Sequence, residues 1–143
     1  MLEAIKNTFH LDGVDLTDYS PLTLAYIGDA VYELVIRTNL VYKSNAPVNK
    51  LNKKGSELAK AAKQSAMIEA LLPELSGEEE AAYRRGRNAH SHTKAKNATT
   101  GDYRRATGFE ALIGYLYLQE KTERILELIA RGWSLTEKSE EKQ

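Results

Sequence analysis

LAYIGDAVYELVIR, residues 24–37, decides the fold class. Leu24, Ile27, Val31, Leu34 and Val35 recur at the three- and four-residue spacing of one helical face. Just upstream, Ser20-Pro21 reads as an N-cap followed by proline in the first turn, so the helix is predicted over about 21–43. Its apolar stripe is wide, which places it centrally in a core. Inside that stripe sits an acid, Asp29, directly after Gly28.

Outward from this helix the pattern stays helical. The chain is rich in Ala, Leu, Glu, Lys and Arg, strong helix formers, and prolines stand only at 21, 47 and 73. No stretch alternates like a strand between turn residues. The reading is all-α. A short helix is expected at 3–9 and an acidic connector at 12–20. A helical region over about 47–72 is expected to break near Gly55 or Lys63. A helix at 77–88 opens on Ser76 with acids in its first turn, as the helix dipole favours. The polar segment HSHTKAKNATTG, residues 90–101, is expected to be a long loop. Helices over about 102–120 and 121–135 follow, the first carrying Phe109, Leu112, Ile113 and Leu116, with a fraying polar tail at 137–143. With 143 residues and a 42% hydrophobic composition, one domain spanning 1–143 is expected.

The composition excludes several chemistries. There is no cysteine, so disulfides, thiol nucleophiles and cysteine-bound zinc are ruled out, and a reducing cytoplasm fits. No apolar run has the length of a membrane helix, and the N-terminus lacks the pattern of a secretory signal. Net charge is zero, but its distribution is uneven. Residues 43–63 hold six lysines and one acid; residues 84–105 hold seven Lys or Arg, two histidines and one acid. A zero total therefore leaves a basic nucleic-acid surface open.

Two acids sit in the most apolar helices: Asp29, and Glu110 within GFEALIGYLYL. Aspartate is a poor mid-helix residue, and a buried carboxylate needs a cation, a hydrogen-bond network or a metal. Small residues flank both acids (Ala25, Gly28 and Ala30; Ala106, Ala111 and Gly114) and would let two helices approach closely. The two carboxylates would then converge on one hard cation, and oxygen-only ligation suits magnesium. The competing reading is a pair of structural acids, salt-bridged to Arg37 or Arg104. Glu33, four residues before Arg37, reads as a surface ion pair.

At these residues the sequence resembles the ribonuclease III family. Residues 24–37 resemble its signature helix, and FEALIGYLYL, residues 109–118, resembles its second acidic motif, in the family order and at roughly the family distance. RRGRNAHSHTKAKN, residues 84–97, is similar to the stretch preceding that motif in the short Mini-III branch, which lacks an appended double-stranded-RNA-binding domain. The resemblance covers about residues 20–135. It implies the all-α endonuclease-domain fold, a homodimer packing its signature helices, and Mg2+-dependent cleavage of double-stranded RNA. It also implies base-paired stalks of precursor 23S ribosomal RNA as substrate, with a ribosomal protein as a possible helper. Asp29 and Glu110 match the metal-binding acids of the two motifs. Two further family acids are replaced here, by Ala25 and Thr107, so a weakly held magnesium completed by water and RNA phosphate is expected.

The RNA-binding residues expected from the basic region are Arg84, Arg85, Arg87, Asn88, Lys94, Lys96, Arg104 and Arg105. His90 and His92 are expected to contact RNA rather than to catalyse. Lys50, Lys53 and Lys54 are a second candidate phosphate face, read foremost as a solvated one. The alternatives are a non-catalytic, ribosome-associated RNA-binding module, which Ala25 and Thr107 favour, and an unrelated helical interaction protein with structural acids. Retention of both Asp29 and Glu110 argues against the module.

Overall fold

The computed structural model describes residues 1–89 and 99–141, with side chains described as far as residue 137. Among the described residues every regular element is helical. The order is α1 (Leu2–Thr8), a 3-10 turn (Leu16–Asp18), α2 (Pro21–Lys43), α3 (Val48–Ala59), α4 (Ala61–Leu71), a second 3-10 turn (Leu72–Glu74), α5 (Gly77–Asn88), α6 (Thr100–Leu118) and α7 (Thr122–Glu141). The all-α reading holds, and α2 and α5 have the expected bounds. No helix among the described residues is long and apolar enough to cross a membrane.

The caps explain those bounds. The Ser20 hydroxyl accepts from the Thr23 amide at 3.2 Å, ahead of Pro21. Ser76 and Glu79 form a capping box, each side chain accepting from the other residue's backbone N–H. Elsewhere the boundaries move. The α3–α4 break falls at Lys60, whose backbone is extended (φ −63°, ψ 152°), not at Gly55 or Lys63. Gly55 lies buried in the middle of α3, facing Ile36 and Leu40 of α2. α6 starts earlier than expected, since the Thr99 hydroxyl caps the Asp102 amide at 3.0 Å. The tail expected to fray continues α7 to Glu141, and the acidic connector holds a 3-10 turn capped by Asp15.

α6 is the central element and packs against α2, α4, α5 and α7. Every residue from 106 to 114 is buried except Glu110, which is half-buried. Tyr32 of α2 stands edge-on to Phe109 at 5.4 Å, donates to the Leu58 carbonyl at 2.7 Å and accepts from the Trp133 indole N–H at 3.1 Å. Burial pushes the Tyr32 phenol up to about 12, so it stays a neutral donor. Leu34, expected on the core stripe, lies instead on the outer face of α2 and is about half exposed.

The closest backbone approach is between α2 and α6. A Cβ on Gly28 would stand 1.8 Å from the Glu110 carbonyl oxygen, and one on Gly114 would stand 2.0 Å from the Leu24 carbonyl oxygen. Only glycine fits either position. Ala25 and Ala111 are buried in the same contact, as the small-residue pattern predicts, whereas Ala30 is exposed and outside it. A second seam joins α5 to α6, where Gly86 and Gly108 meet.

Candidate active site at the α2–α6 crossing

The helix crossing fixes the site, because each critical glycine neighbours an acid. Gly28 touches the backbone of Glu110, so Asp29, the next residue of α2, is carried to the Glu110 side chain. The two carboxyls are in hydrogen-bond contact. Asp29 is exposed, contrary to the burial its apolar surroundings suggested. Its side chain emerges at the edge of the crossing, where α2 turns from its buried face to solvent.

Glu110 carries the electrostatic burden of the pair. Its pKa is pushed up to about 8, first by burial, then by the hydrogen bond to Asp29 and the Asp29 charge. Two carboxylates this close do not both ionise readily without a cation. The salt-bridge alternative is not what the structure shows. Arg37 pairs with Glu33 at 3.1 Å, the expected surface pair, and Arg104 is exposed with no ion pair among the described residues. Thr107, in place of a family acid, donates its hydroxyl to the Tyr103 carbonyl at 3.0 Å, and Ala25 is buried.

The donor set fits one hard divalent cation held by two carboxylates and completed by water and substrate phosphate. No cluster of three or more His, Asp or Glu side chains forms among the described residues. Sequence reasoning missed one neighbour, Gln64 of α4. It is 3% exposed, donates to the Ala59 carbonyl at 2.8 Å, and acts on Glu110 to lower its pKa slightly against the larger upward shift. The signal available was a polar pair, Gln64-Ser65, inside a helix whose flanks are apolar.

The Gly86–Gly108 seam lays the last turns of α5, with Arg84, Arg85 and Arg87, along the Glu110 segment of α6. Arg85 and Arg104 are exposed and carry no ion pair among the described residues. Arg84 pairs with Glu80 at 2.5 Å, and Arg87 donates to the Asn88 side chain at 3.2 Å while lying over the Tyr83 ring. Arg105 is tied inward. It donates to Ser65 at 2.7 Å and to Asp102 at 3.3 Å, and stands 3.5 Å from Glu69. Lys94, Lys96, His90 and His92 lie outside the described residues. Lys50, Lys53 and Lys54 are exposed on α3, as expected of a solvated face.

Comparison with known proteins identifies the family. Residues 22–121 match the Ribonuclease III domain family. A Mini-ribonuclease 3 from Clostridium tetani is 49% identical over 126 residues, which are 87% of this chain and 83% of that protein. One from a Thermoanaerobacter species is 44% identical over 129 residues, 90% of this chain and 91% of that one. A crystal structure of a Fusobacterium nucleatum protein superposes with a TM-score of 0.75 at 32% identity, covering 88% of this chain and 98% of that chain.

Proposed function

The chain belongs to the ribonuclease III family and is an endoribonuclease of its Mini-ribonuclease 3 branch, and from that premise we propose that it cuts double-stranded RNA with Mg2+ held between Asp29 and Glu110. The family acts on double-stranded RNA and is generally divalent-metal dependent. The observation that carries the site assignment is the contact between the two carboxyls, which leaves Glu110 holding a proton that a cation would displace. A bound divalent cation supplies an acidified water and charge neutralisation on the scissile phosphate.

The chain's own residues supply position. Asp29, at the solvent edge, and Glu110, at the buried end, define where a phosphate must sit. Arg85 and Arg104 are free to take phosphates on either side, and Arg84 can exchange Glu80 for one. Arg87, Asn88, Lys94 and Lys96 complete the proposed contact surface, with Arg105 shaping it through Ser65 and Asp102. Arg and Asn side chains suit the phosphates and 2′-hydroxyls of an A-form minor groove.

The working unit we propose is a homodimer of one catalytic domain per chain, in the cytoplasm. The outer face of α2 supports this: Tyr26 is 81% exposed, Leu34 49% and Val41 60%, all on one side of the helix. The proposed substrate is a base-paired stalk of precursor 23S ribosomal RNA, with a ribosomal protein as a possible aid to its presentation.

Cleavage of a labelled long duplex with and without Mg2+ tests this, with wild type beside Asp29→Asn and Glu110→Gln. Cutting only with Mg2+, and by neither folded variant, is the expected result. A wild type that binds the duplex without cutting it, or a folded variant that still cuts, overturns the assignment.

A further inference from the structure

α3 is placed by its contacts with α2. Gly55 faces Ile36 and Leu40, and the Leu58 carbonyl accepts from the Tyr32 hydroxyl at 2.7 Å. The two helices therefore run antiparallel, with the C-terminal end of α3 toward Asp29. Ile36 and Leu40 follow Asp29 by close to two and three full turns, so all three share one stripe of α2. α3 thus lies along the stripe that carries Asp29. At 1.5 Å per residue, its Gly55 contact is roughly 10–17 Å beyond Asp29 along the α2 axis.

The side of α3 turned away from Gly55 carries Lys50, Lys53 and Lys54, at helical spacing, exposed and with no ion pair among the described residues. These lysines oppose the helix that bears them. Lys50 stands in the first turn, where the helix dipole disfavours a cation, and that turn has neither an acid nor a side-chain cap. Lys50 and Lys54, four residues apart, repel each other. By contrast, Arg37 of α2 and Arg84 of α5 are each paired with a glutamate four residues before them. A face of one sign, kept although it opposes its own helix, is held for a partner of the other sign. We infer that α3 is a second duplex-contact surface, on which Lys50, Lys53 and Lys54 take backbone phosphates of the RNA beyond the scissile one. This rests on the reading of Asp29 and Glu110 as the cleavage site. A duplex cut at Asp29 and running on along α2 meets α3 next. Lysines there add affinity through phosphate charge and read no sequence.

The test is the triple variant Lys50→Gln, Lys53→Gln, Lys54→Gln in the full chain. Duplex affinity is measured by fluorescence anisotropy across a salt series in chelator, cleavage gives kcat and KM at saturating Mg2+, and thermal melting reports the fold. The expected result is binding about tenfold weaker or more, with the salt slope of log K lower by about two to three. KM should rise by a similar factor with kcat unchanged, and the melting temperature should be equal or higher. Lys6→Gln with Lys121→Gln, which removes charge away from α3, should leave the salt slope unchanged. Lys50→Glu, which restores an acid to the first turn, should raise the melting temperature while weakening binding, a divergence no structural role produces. A wild-type salt slope and KM in the triple variant overturn the inference and leave α3 a solvated face. So does an equal loss in the Lys6 and Lys121 variant, or a loss that only tracks a fall in melting temperature. A wild type that neither binds nor cuts the duplex refutes the RNA reading, and the α3 surface with it. A wild type that does both, beside a triple variant that matches it, refutes the α3 surface alone.

Discussion

Replacing Glu110 by glutamine should stabilise the metal-free protein, and the gain should grow with pH. The carboxyl of Glu110 is shifted from 4.5 to about 8 in the fold. For an acid raised in this way, the folded state holds its proton more tightly than the unfolded chain does. The fold is therefore unpenalised below about pH 4.5, loses stability progressively from there to about pH 8, and carries the whole penalty above it. At about 1.4 kcal/mol per pKa unit the ceiling is about 5 kcal/mol. Glu110 is only half-buried, so solvent screening leaves about 1–3 kcal/mol. Glutamine fills the same space, is neutral, and can donate to Asp29 where the carboxylate cannot. Urea unfolding followed by circular dichroism, in chelator, should show wild type and Glu110→Gln equal near pH 5. Near pH 8.5 the variant should lead by about 1–3 kcal/mol. Millimolar Mg2+ should then raise wild type and not the variant, since only wild type binds the ion. A variant less stable than wild type at pH 8.5, or a difference flat with pH, refutes the reasoning. Equal stabilisation of both by Mg2+ places the ion elsewhere.

Gly28→Ala puts a methyl 1.8 Å from the Glu110 carbonyl oxygen, so α2 and α6 must separate; a loss of about 3 kcal/mol by thermal melting is expected, and an unchanged melting temperature would contradict the packing. Arg124→Ala removes the pairing that holds Glu79, 9% exposed, below the usual glutamate range, and should cost about 1–3 kcal/mol near neutral pH. Glu79's contribution is present above about pH 4.5 and lost as pH falls through its depressed folded value, so the gap between wild type and variant should close in acid. Arg85→Ala and Arg104→Ala should each weaken duplex binding and lower the salt dependence of log K by about one, measured by fluorescence anisotropy across a salt series. An unchanged salt slope in both would remove them from the RNA surface.

The helices themselves were written locally. Ser20-Pro21 and the Ser76–Glu79 box set helix starts through contacts three residues away, and the apolar spacing of residues 24–37 marks α2 without reference to the rest of the chain. Asp29 and Glu110 were legible for the same reason, as acids where the local pattern calls for apolar residues. Small residues beside them announced that a close crossing was available.

What the local pattern could not carry is which surfaces meet. Helical spacing relates a residue to neighbours three and four positions away, while the site joins Asp29 and Glu110 from two different helices. The break at Lys60 escaped notice because lysine bears no turn signal, and Gly55, which does, is used for packing on α2. Leu34 looks like core in the sequence and Ala30 like part of the close crossing, and both lie outside, since α2 turns only part of its wide apolar stripe toward α6. The sequence by itself determined the helices and the identity of the two carboxylates. The backbone contact at Gly28 and Gly114, possible only without side chains, decided that those carboxylates share one site.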